Sequence, residues 1–454
     1  MPILSHEAWI SDLVNRSGPA ALQRMRSEIS RSITSTPVVY VHPFQAFDFP
    51  IAITSKTWMN WSEAAVRLLD LIYRFVNLRM AHDRTTFLRS IGLSASQIAR
   101  LDRLPYPASA NELMARPDFF LGSDGPLFLE SNVDSSLGGL GTADALADIY
   151  KRAIQRHMKG VFNLAALPVV PALARQMRAL SEPSVRKLRV AIVDWEDEIE
   201  EVPWPYDRLV DALAIEGILA RTVPPSALSY IDARLEIVGE QFDMVYRGLT
   251  PTDRLWSNWD SCSTLWSAIC GKLPSLSSPW SVVFSSKAIF GALWEASITN
   301  EIGRDDAEFV RRHIPWTWQL DRGGCCPSNS SEFVDTYDYV IANAQDLVLK
   351  SPSDGSCKNV TVGRFVDPSV WKNAVEAARM ERGFVVQRYV EPTQVTNSRG
   401  GDKAGLIPFF CNFAVFVLGT CVAGTCIRGT PNVGPYISCM YGASEGIAMN
   451  LDVA

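Results

Sequence analysis

Three side chains with oxygen donors stand close together in one short stretch of the chain. Asp118 precedes the apolar run Phe119–Leu121, and Glu130 and Asn132 follow a second apolar run. Residues two apart on a strand point to the same side, so Glu130 and Asn132 share a face. Oxygen donors of mixed charge, too few to enclose an ion alone, suit Mg²⁺, which takes further ligands from water and substrate phosphates. The alternative is that Asp118 caps a turn and the other two form a solvated strand end.

A β-hairpin is the element that would bring these side chains together. Its strands are predicted at Phe119–Leu121 and Pro126–Leu129, joined by a turn rich in Gly and Asp at Gly122–Gly125. A glycine-bearing turn over residues 135–141 then leads into a predicted helix from Thr142 to about Met158. Backbone amides at such a helix N-terminus favour an anion, although a capped helix after a loop explains the same pattern.

The hairpin resembles the metal-binding signature of glutathionylspermidine synthase and its relatives. These proteins are ATP-grasp ligases with a circularly permuted sequence, so the metal ligands precede the rest of the nucleotide site. The residues that carry the likeness are Arg116, Asp118, Glu130, Asn132, Asp134, Ser135 and Ser136.

The resemblance implies a role for most of these residues. Asp118, Glu130 and Asn132 would hold the metal, as two Mg²⁺ ions that bridge the phosphates of ATP. Arg116 would stabilise the negative charge that develops while the phosphoryl group is transferred. The serine pair at 135–136 would face the acceptor substrate.

Two later segments match the nucleotide-binding half of the same family. Lys287 is predicted one turn into a helix that follows a short strand, where the family has a nucleotide-contacting lysine; on its own it would be read as a surface residue. Lys350 ends a predicted strand, and a flexible loop with Lys358 separates it from a second strand. The resemblance implies that this flap covers the triphosphate and that Lys350 and Lys358 contact it. The loop contains one glycine, fewer than is usual in the family.

Two further matches follow in the permuted order. Phe384–Pro392 is predicted as a strand that ends at a proline. The resemblance implies that the backbone at Tyr389 and Val390 pairs with adenine, flanked by Gln387, whereas alone the segment reads as an interior strand. Arg428 closes the second strand of a later hairpin and would clamp the transferring phosphoryl group. A surface arginine at a strand end is the alternative.

The order of elements predicts an α/β, multi-domain protein, and the resemblance implies a circularly permuted ATP-grasp fold. The predicted parts are a helical substrate-side region at 1–110, the metal-binding hairpin and helices at 111–180, an open α/β domain at 181–280, the nucleotide and flap region at 281–390, and a last core segment at 391–454.

The central α/β part has the alternation typical of a parallel sheet. Strands at Leu188–Asp194, Leu219–Val223 and Phe242–Arg247 alternate with a helix from about Tyr206 to Glu216. Arg247 ends a strand at the edge where such sheets bind ligands, and the family has a similar strand, so Arg247 is a candidate substrate contact.

Composition narrows the class of protein. The chain has 454 residues, of which 47% are hydrophobic and 20% charged, and a net charge of −6, values typical of a soluble globular protein without a nucleic-acid partner. The acidic loop Glu196–Glu201 is typical of a solvated face. No signal peptide or membrane-spanning run is evident, and the nine cysteines lack zinc spacing, so we expect a cytoplasmic protein with reduced thiols and no membrane partner.

The resemblance implies an ATP-dependent ligase that joins a carboxylate to an amine through an acyl phosphate and needs ATP and Mg²⁺. The substrates would be small molecules: an amino acid, a small peptide or a polyamine. Two alternatives stay open, namely a thiol or hydroxyl acceptor, and a protein of this fold that binds nucleotide without turnover. The oligomeric state is open, with a homodimer as one option.

Overall fold

The chain folds into a mixed α/β structure, as the sequence predicts. Its computed structural model describes residues 3–35, 45–134, 137–158, 164–201, 203–250, 252–327, 332–355, 357–399 and 405–451. The α-helices of these residues are α1 (Ile3–Ser35), α2 (Ser55–Ser90), α3 (Ala95–Leu101), α4 (Leu140–His157), α5 (Val170–Leu180), α6 (Glu196–Glu201), α7 (Trp204–Ile215), α8 (Asp253–Ser257), α9 (Ser263–Cys270), α10 (Ser281–Ser285), α11 (Ala288–Ile298), α12 (Arg304–His313), α13 (Thr336–Ala342) and α14 (Pro368–Ala378).

One antiparallel sheet joins an early and a late part of the chain. Its strands are β2 (Met114–Gly122), β3 (Gly125–Val133), β18 (Thr393–Asn397), β19 (Ile407–Leu418), β20 (Cys421–Thr430) and β21 (Ser444–Gly446). The order is β21–β20–β19–β2–β3, with β18 also paired to β19. The two predicted hairpins are confirmed as β2–β3 and β19–β20. Because β19 pairs with β2, the predicted segments 111–180 and 391–454 build the same sheet.

The two faces of this main sheet differ in polarity. Phe119 and Phe413 are cross-strand partners, and the ring of Trp61 on α2 packs 5.3 Å and 5.5 Å from theirs. α2 thus covers the apolar face. It begins after the N-cap Thr54, whose side chain accepts a hydrogen bond from the Thr57 amide (3.2 Å). Since side chains alternate along a strand, Asp118 points to the opposite face.

A bulge in β3 leaves one backbone carbonyl free to contact side chains of the site. Asp118 pairs with Glu130, but the next residue, Phe119, pairs with Phe128, so Leu129 is an extra residue on β3. Such a bulge bends the strand and leaves the extra residue outside the ladder. The Leu129 carbonyl is therefore available to side chains of the flap.

The central parallel sheet is confirmed. Its order is β11–β10–β5–β6, and every neighbouring pair is parallel. Its strands, with those of a small antiparallel sheet beside it, are β5 (Arg189–Val193), β6 (Leu219–Val223), β7 (Ser229–Ile231), β8 (Arg234–Ile237), β9 (Glu240–Phe242), β10 (Met244–Arg247) and β11 (Ser275–Leu276). The acidic segment Glu196–Glu201 is the short helix α6 rather than a loop, because acidic residues in a first turn interact favourably with the helix dipole.

The flap region forms a third sheet. Its strands are β12 (Thr317–Gln319), β15 (Leu347–Lys350), β16 (Val360–Val362) and β17 (Val385–Arg388), in the antiparallel order β12–β17–β15–β16. The predicted strand, loop and strand around Lys350 are confirmed. The short strand expected before Lys287 is wrong: that run is the helix α10, and Lys287 caps α11. A short apolar run fits a buried helix as well as a strand.

Two apolar cores support these sheets. One gathers α2, α11 and the flap sheet, and the other gathers α1, α4, α5 and the parallel sheet. The remaining strands are β1 (Ile51–Thr54), β4 (Leu164–Ala165), β13 (Gly324–Cys325), β14 (Val334–Asp335) and β22 (Ala448–Leu451). Within the described ranges, we find no helix with the length and apolarity to cross a membrane.

Candidate active site

The polar face of the main sheet gathers the predicted metal ligands and both predicted arginines. The register places Asp118 opposite Glu130 and Arg116 opposite Asn132 on β2 and β3. On β19 and β20 it places Asn412 opposite Arg428. Four strands therefore contribute to one polar cluster. Its members are Arg116, Asp118, Glu130, Asn132, Asn412 and Arg428.

Asp118 lies at the centre of this cluster. Its Oδ1 accepts hydrogen bonds from Arg116 Nε (3.0 Å) and Asn132 Nδ2 (3.3 Å). Its Oδ2 accepts from Asn412 Nδ2 (3.2 Å) and Arg428 Nη1 (3.3 Å). The carboxylate is buried between two guanidinium groups, so its charge and orientation are held by charge-assisted hydrogen bonds.

Glu130 lies beside two lysines, Lys287 at the start of α11 and Lys350 on the flap. Its Oε2 lies 3.4 Å from Lys287 Nζ. Burial alone would raise the pKa of Glu130, but the charges of Lys287, Lys350 and Arg116 outweigh it and lower the pKa to about 2. Burial lowers the pKa of Lys350 to about 8, although the charge of Glu130 acts in the opposite direction. Glu130 is therefore ionised at neutral pH, and Lys350 is a cation that can lose its proton in mild base.

Lys350 is oriented by the flap sheet and the bulge. Its Nζ donates to Gln387 Oε1 (2.7 Å) and to the Leu129 carbonyl (3.1 Å). Gln387 is buried, and its Nε2 donates to Thr317 Oγ1 (3.0 Å). Gln387 thus aims the Lys350 ammonium at the polar face of the main sheet.

The flap is closed over a cleft beside this cluster. The Lys287 side chain donates to the Asp354 carbonyl (2.7 Å), and its backbone N–H donates to the Pro352 carbonyl (2.9 Å). From the other side, the Tyr436 hydroxyl donates to the Val360 carbonyl (2.8 Å). The enclosed volume is about 130 Å³, whereas small-molecule sites span roughly 300–1,000 Å³. A nucleotide would therefore need these bonds to open.

Most of the predicted nucleotide residues line this one cleft. They are Asp118, Glu130, Lys287, Lys350, Gln387, Tyr389 and Val390. Glu130 and Lys350 therefore line the same cleft. This is required if the early hairpin and the late flap are to bind one ligand together. The Tyr389 amide donates to the Asp346 carbonyl (2.7 Å), so in this arrangement it is not available to an adenine ring.

Two predicted residues, Lys358 and Arg247, belong neither to the lining of the cleft nor to the polar cluster. The Lys358 side chain is exposed on the flap turn and is not among the residues that line the cleft, so a direct phosphate contact is not supported in this arrangement. Ser135 and Ser136 lie outside the described residues. Arg247 is fully buried and forms an ion pair with Asp134 (2.7 Å).

The expected substrate contact of Arg247 is not supported, and the alternation of β10 explains why. Arg247 Nε donates to the Ser277 carbonyl (2.9 Å), and Arg247 does not line the cleft beneath the flap. Its neighbours Tyr246 and Gly248 instead line a cavity at the sheet edge. A cavity lies at the predicted edge of the sheet, but the Arg247 side chain points to the opposite face.

This second cavity has a volume of about 450 Å³ and lies between the start of α4 and the carboxyl edge of the parallel sheet. Asp194 directly follows β5 there, and its Oδ2 accepts a hydrogen bond from the Tyr206 hydroxyl (2.8 Å). Burial raises the pKa of Asp194. A Cβ on Gly248 would lie 2.4 Å from Asp194 Oδ2, so glycine is needed at that position.

The two arginines lie between the cleft and the cavity. Arg116 binds Asp118, which lines the cleft, and its Nη1 donates to the carbonyl of Gly138, which lines the cavity (2.5 Å). A Cβ on Gly138 would lie 3.8 Å from Arg428 Nη2. The next residue, Gly139, has φ 89° and caps α4, which begins two residues before the predicted Thr142.

The cluster has the donors for Mg²⁺ but an excess of positive charge. No group of three or more His, Cys, Asp and Glu side chains in the described part of the chain is arranged to hold a metal ion. Two carboxylates and Asn132 are present, and the buried Asn412 Oδ1 has no hydrogen-bond partner among the described residues. The nearby cations are Arg116, Lys287, Lys350 and Arg428. This donor set fits Mg²⁺ that binds together with phosphates, rather than the bare ion.

Sequence reasoning missed several residues of the site. Asn412 could have been found by counting back from Arg428 through the predicted hairpin, and Asp194 ends a predicted strand. Tyr436 had no sequence signal, because its position depends on where a loop crosses the flap.

Of three comparisons with known proteins, the one with solved structures found similar proteins. A scan against protein-family models found no match, and neither did a search of curated proteins. Among solved structures, the chain is similar to the apo form of a glutathione synthetase-like effector (GSS30) from Globodera pallida, with a TM-score of 0.61, 11% identity, and coverage of 96% of this chain and 98% of that one.

Two other solved structures have TM-scores below 0.5 and carry no argument. One is a protein assigned as a gamma-glutamylcysteine synthetase from Methylobacillus flagellatus, with a TM-score of 0.42, 9% identity, and coverage of 84% of this chain and 87% of that one. The other is D-alanyl-alanine synthetase A from Vibrio cholerae, with a TM-score of 0.29, 13% identity, and coverage of 59% and 90%. The likeness to the glutathione synthetase-like effector therefore shows a shared fold, and the ATP-grasp assignment made from the sequence stays a prediction.

Proposed function

We propose that the chain is an ATP-dependent ligase. It phosphorylates a carboxylate with ATP, and an amine then attacks the acyl phosphate to form an amide, releasing ADP and phosphate. One observation carries the proposal: Arg116 and Arg428 stand between a cleft bordered by Lys287 and Lys350 and a separate cavity of about 450 Å³. This is the arrangement that phosphoryl transfer between two bound substrates requires, because charge develops at their junction.

In this proposal the nucleotide occupies the cleft beneath the flap. Lys287 and Lys350 offer point charges to its phosphates, which strengthens binding where water is excluded. Mg²⁺, as two ions held by Asp118, Glu130 and Asn132, would neutralise charge on the phosphates when bound. Because the pKa of Glu130 is about 2, its carboxylate is available to the metal throughout the physiological pH range.

The substrates occupy the cavity beside the start of α4. The backbone amides of that helix and the guanidinium groups of Arg116 and Arg428 suit the carboxylate that receives the phosphoryl group. The arginines then stabilise negative charge on the transferring group. Asp118 keeps both of them in place through its two oxygens.

A second candidate function is nucleotide binding without turnover, and the flap backbone is the observation that favours it. Cys357 and Asn359 have φ angles of 59° and 53°, in the left-handed region that favours glycine. A flap built from such residues is strained and stiffer than a glycine-rich one. If such a flap opens to admit ATP but does not close over it in a productive arrangement, ATP binds without turnover.

The release of ADP separates these functions. The chain is incubated with ATP, Mg²⁺ and pools of amino acids, short peptides or polyamines, and ADP and new amides are measured by a coupled assay and mass spectrometry. We expect release with a pool that contains both an acid and an amine. Lys350→Met should abolish it, whereas Lys372→Met, which removes an exposed lysine on α14, should not. Binding of ATP with no ADP from any pool supports the second function.

A further inference from the structure

The wall of the 450 Å³ cavity carries charges of both signs. Arg254 and Glu198 line the cavity and form an ion pair with each other (3.5 Å). Arg254 also pairs with Asp197 and lies 4.7 Å above the ring of Trp195. Arg254 is therefore already paired within the wall and does not require an anionic ligand.

Two other charges in the same wall are not neutralised. Arg208 on α7 lines the cavity and, within the described ranges, has no hydrogen-bond or ion-pair partner. Asp194 accepts hydrogen bonds from the Trp195 amide and the Tyr206 hydroxyl (both 2.8 Å), but the described cations form no ion pair with it. A partly enclosed charge is stabilised by an opposite charge with good hydrogen-bond geometry, which a ligand can supply.

We infer that this cavity binds a zwitterionic amino compound, an amino acid or a short peptide, with its carboxylate on Arg208 and its ammonium on Asp194. This inference rests on the proposed function, because it assigns the class of one of the ligase's substrates. The planar guanidinium of Arg208 matches a carboxylate with two parallel hydrogen bonds. The ring of Tyr206, whose hydroxyl contacts Asp194, suits an ammonium group.

The same two charges select against the other substrate classes. A polyamine carries only ammonium groups and would place one of them near Arg208. A dicarboxylate would place a negative group near Asp194. Asp194 is held in position for this recognition by Tyr206 and by the missing side chain at Gly248.

Saturation-transfer NMR without ATP tests the inference. The probes are the twenty amino acids and a dipeptide pool, the same compounds as C-terminal amides or N-acetyl derivatives, and spermidine with glutarate. We expect signals from free zwitterions, with the amides and N-acetyl derivatives binding about 10- to 100-fold more weakly. Arg208→Gln and Asp194→Asn should each weaken zwitterion binding to that extent, while Arg234→Gln, which changes an exposed arginine of the same domain, should not. Thermal unfolding shows that each variant is folded.

The outcomes separate this inference from the proposed function. Zwitterion binding that depends on Arg208 and Asp194, without ADP release in the ligase assay, supports the inference and contradicts the ligase. ADP release with spermidine, and no zwitterion signal, supports the ligase and overturns the inference. Zwitterion binding that is unchanged in Arg208→Gln and Asp194→Asn, or no zwitterion signal at all, also overturns it.

Discussion

At the scale of single residues, the charges around Asp118 and Glu130 do not balance. Two carboxylates stand among four cationic side chains, all close to one cleft. Like charges in a partly buried site raise its free energy until an anion enters. The phosphates of ATP would supply that anion, so residue charges alone favour binding of the nucleotide with its metal.

The pH dependence of ATP binding should report on Lys350. With a pKa of about 8, Lys350 is charged below pH 8 and neutral above it, while bound phosphates would raise that pKa. Binding therefore takes up a proton above pH 8, and affinity falls as pH rises, by up to about tenfold per unit. Calorimetric titration with ATP and Mg²⁺ from pH 7 to 9.5 measures this. Lys350→Arg, which keeps its charge, should flatten the profile; a flat wild-type profile contradicts the assignment.

Turnover should depend on the guanidinium of Arg428 more than ATP affinity does. Arg428→Lys keeps a positive charge but cannot reproduce the planar fork beside Asp118. We expect kcat to fall by about 10²–10³-fold while the Kd for ATP stays close to that of the wild type. Steady-state kinetics and calorimetry give the two values. If the affinity for ATP fell by the same factor as kcat, Arg428 would instead contribute to binding of ATP in the ground state.

At the scale of elements, the start of α4 must lie close to the main sheet. Gly139 makes this approach possible, since a Cβ there would be 2.7 Å from Cys426 Sγ and its φ is 89°. A side chain at this position would push the helix away from Arg116 and Arg428. The position of this helix end thus depends on one glycine.

Gly139→Ala should lower the free energy of unfolding. The left-handed backbone alone costs an alanine about 1–2 kcal/mol, and the close contact with Cys426 adds to this. Urea titration measures the change. Gly141→Ala is the matched control, because a Cβ added to Gly141, two residues further on, would meet no atom within 4 Å, and it should be neutral. Equal stability of the two variants would show that α4 shifts without cost.

A few hydrogen bonds keep the flap closed, and one of them can be removed without other changes to the side chain. Tyr436→Phe deletes only the hydroxyl that donates to the Val360 carbonyl. One such hydrogen bond contributes about 0.5–1.5 kcal/mol, so the rate of ATP association should rise about 2- to 10-fold as the flap opens more often. Stopped-flow fluorescence with a labelled ATP analogue measures this rate. Unchanged association would mean that the loop does not limit entry.

At the scale of the whole molecule, a buried ion pair connects the parallel sheet to the main sheet. Arg247 ends β10 of the parallel sheet, and Asp134 directly follows β3 of the main sheet. Arg247 also donates to the Ser281 hydroxyl (3.1 Å) on α10. Its role is therefore to position the sheets relative to each other rather than to contact a ligand.

Loss of this pair should destabilise the protein strongly. Arg247→Gln leaves Asp134 in place without its cationic partner, which costs about 3–5 kcal/mol for a buried pair. Differential scanning calorimetry should show a markedly lower Tm. The matched control is Arg221→Gln, which breaks the exposed pair with Glu240 and should cost about 0–1 kcal/mol. Similar Tm values for both variants would contradict a connecting role.

Much of the fold could be predicted because it rests on local patterns. Strand alternation placed Glu130 and Asn132 on one face, and the apolar strands of the parallel sheet were found from composition and spacing. The prediction that Glu130 and Lys350 meet in one cleft came from a resemblance in several short motifs. The run before Lys287 was assigned wrongly because its five residues suit a helix and a strand equally.

The sequence by itself determined the elements, their order and the chemistry that the hairpin and the flap offer. Only the tertiary structure decided that Arg247 is buried against Asp134, that Asn412 joins the polar cluster, and that Arg208 and Asp194 face one cavity. The physical reason is range: backbone sterics and side-chain period act over a few neighbouring residues. The side to which a charged group points depends on which sheets and helices bury the opposite face, and those lie far away in the sequence.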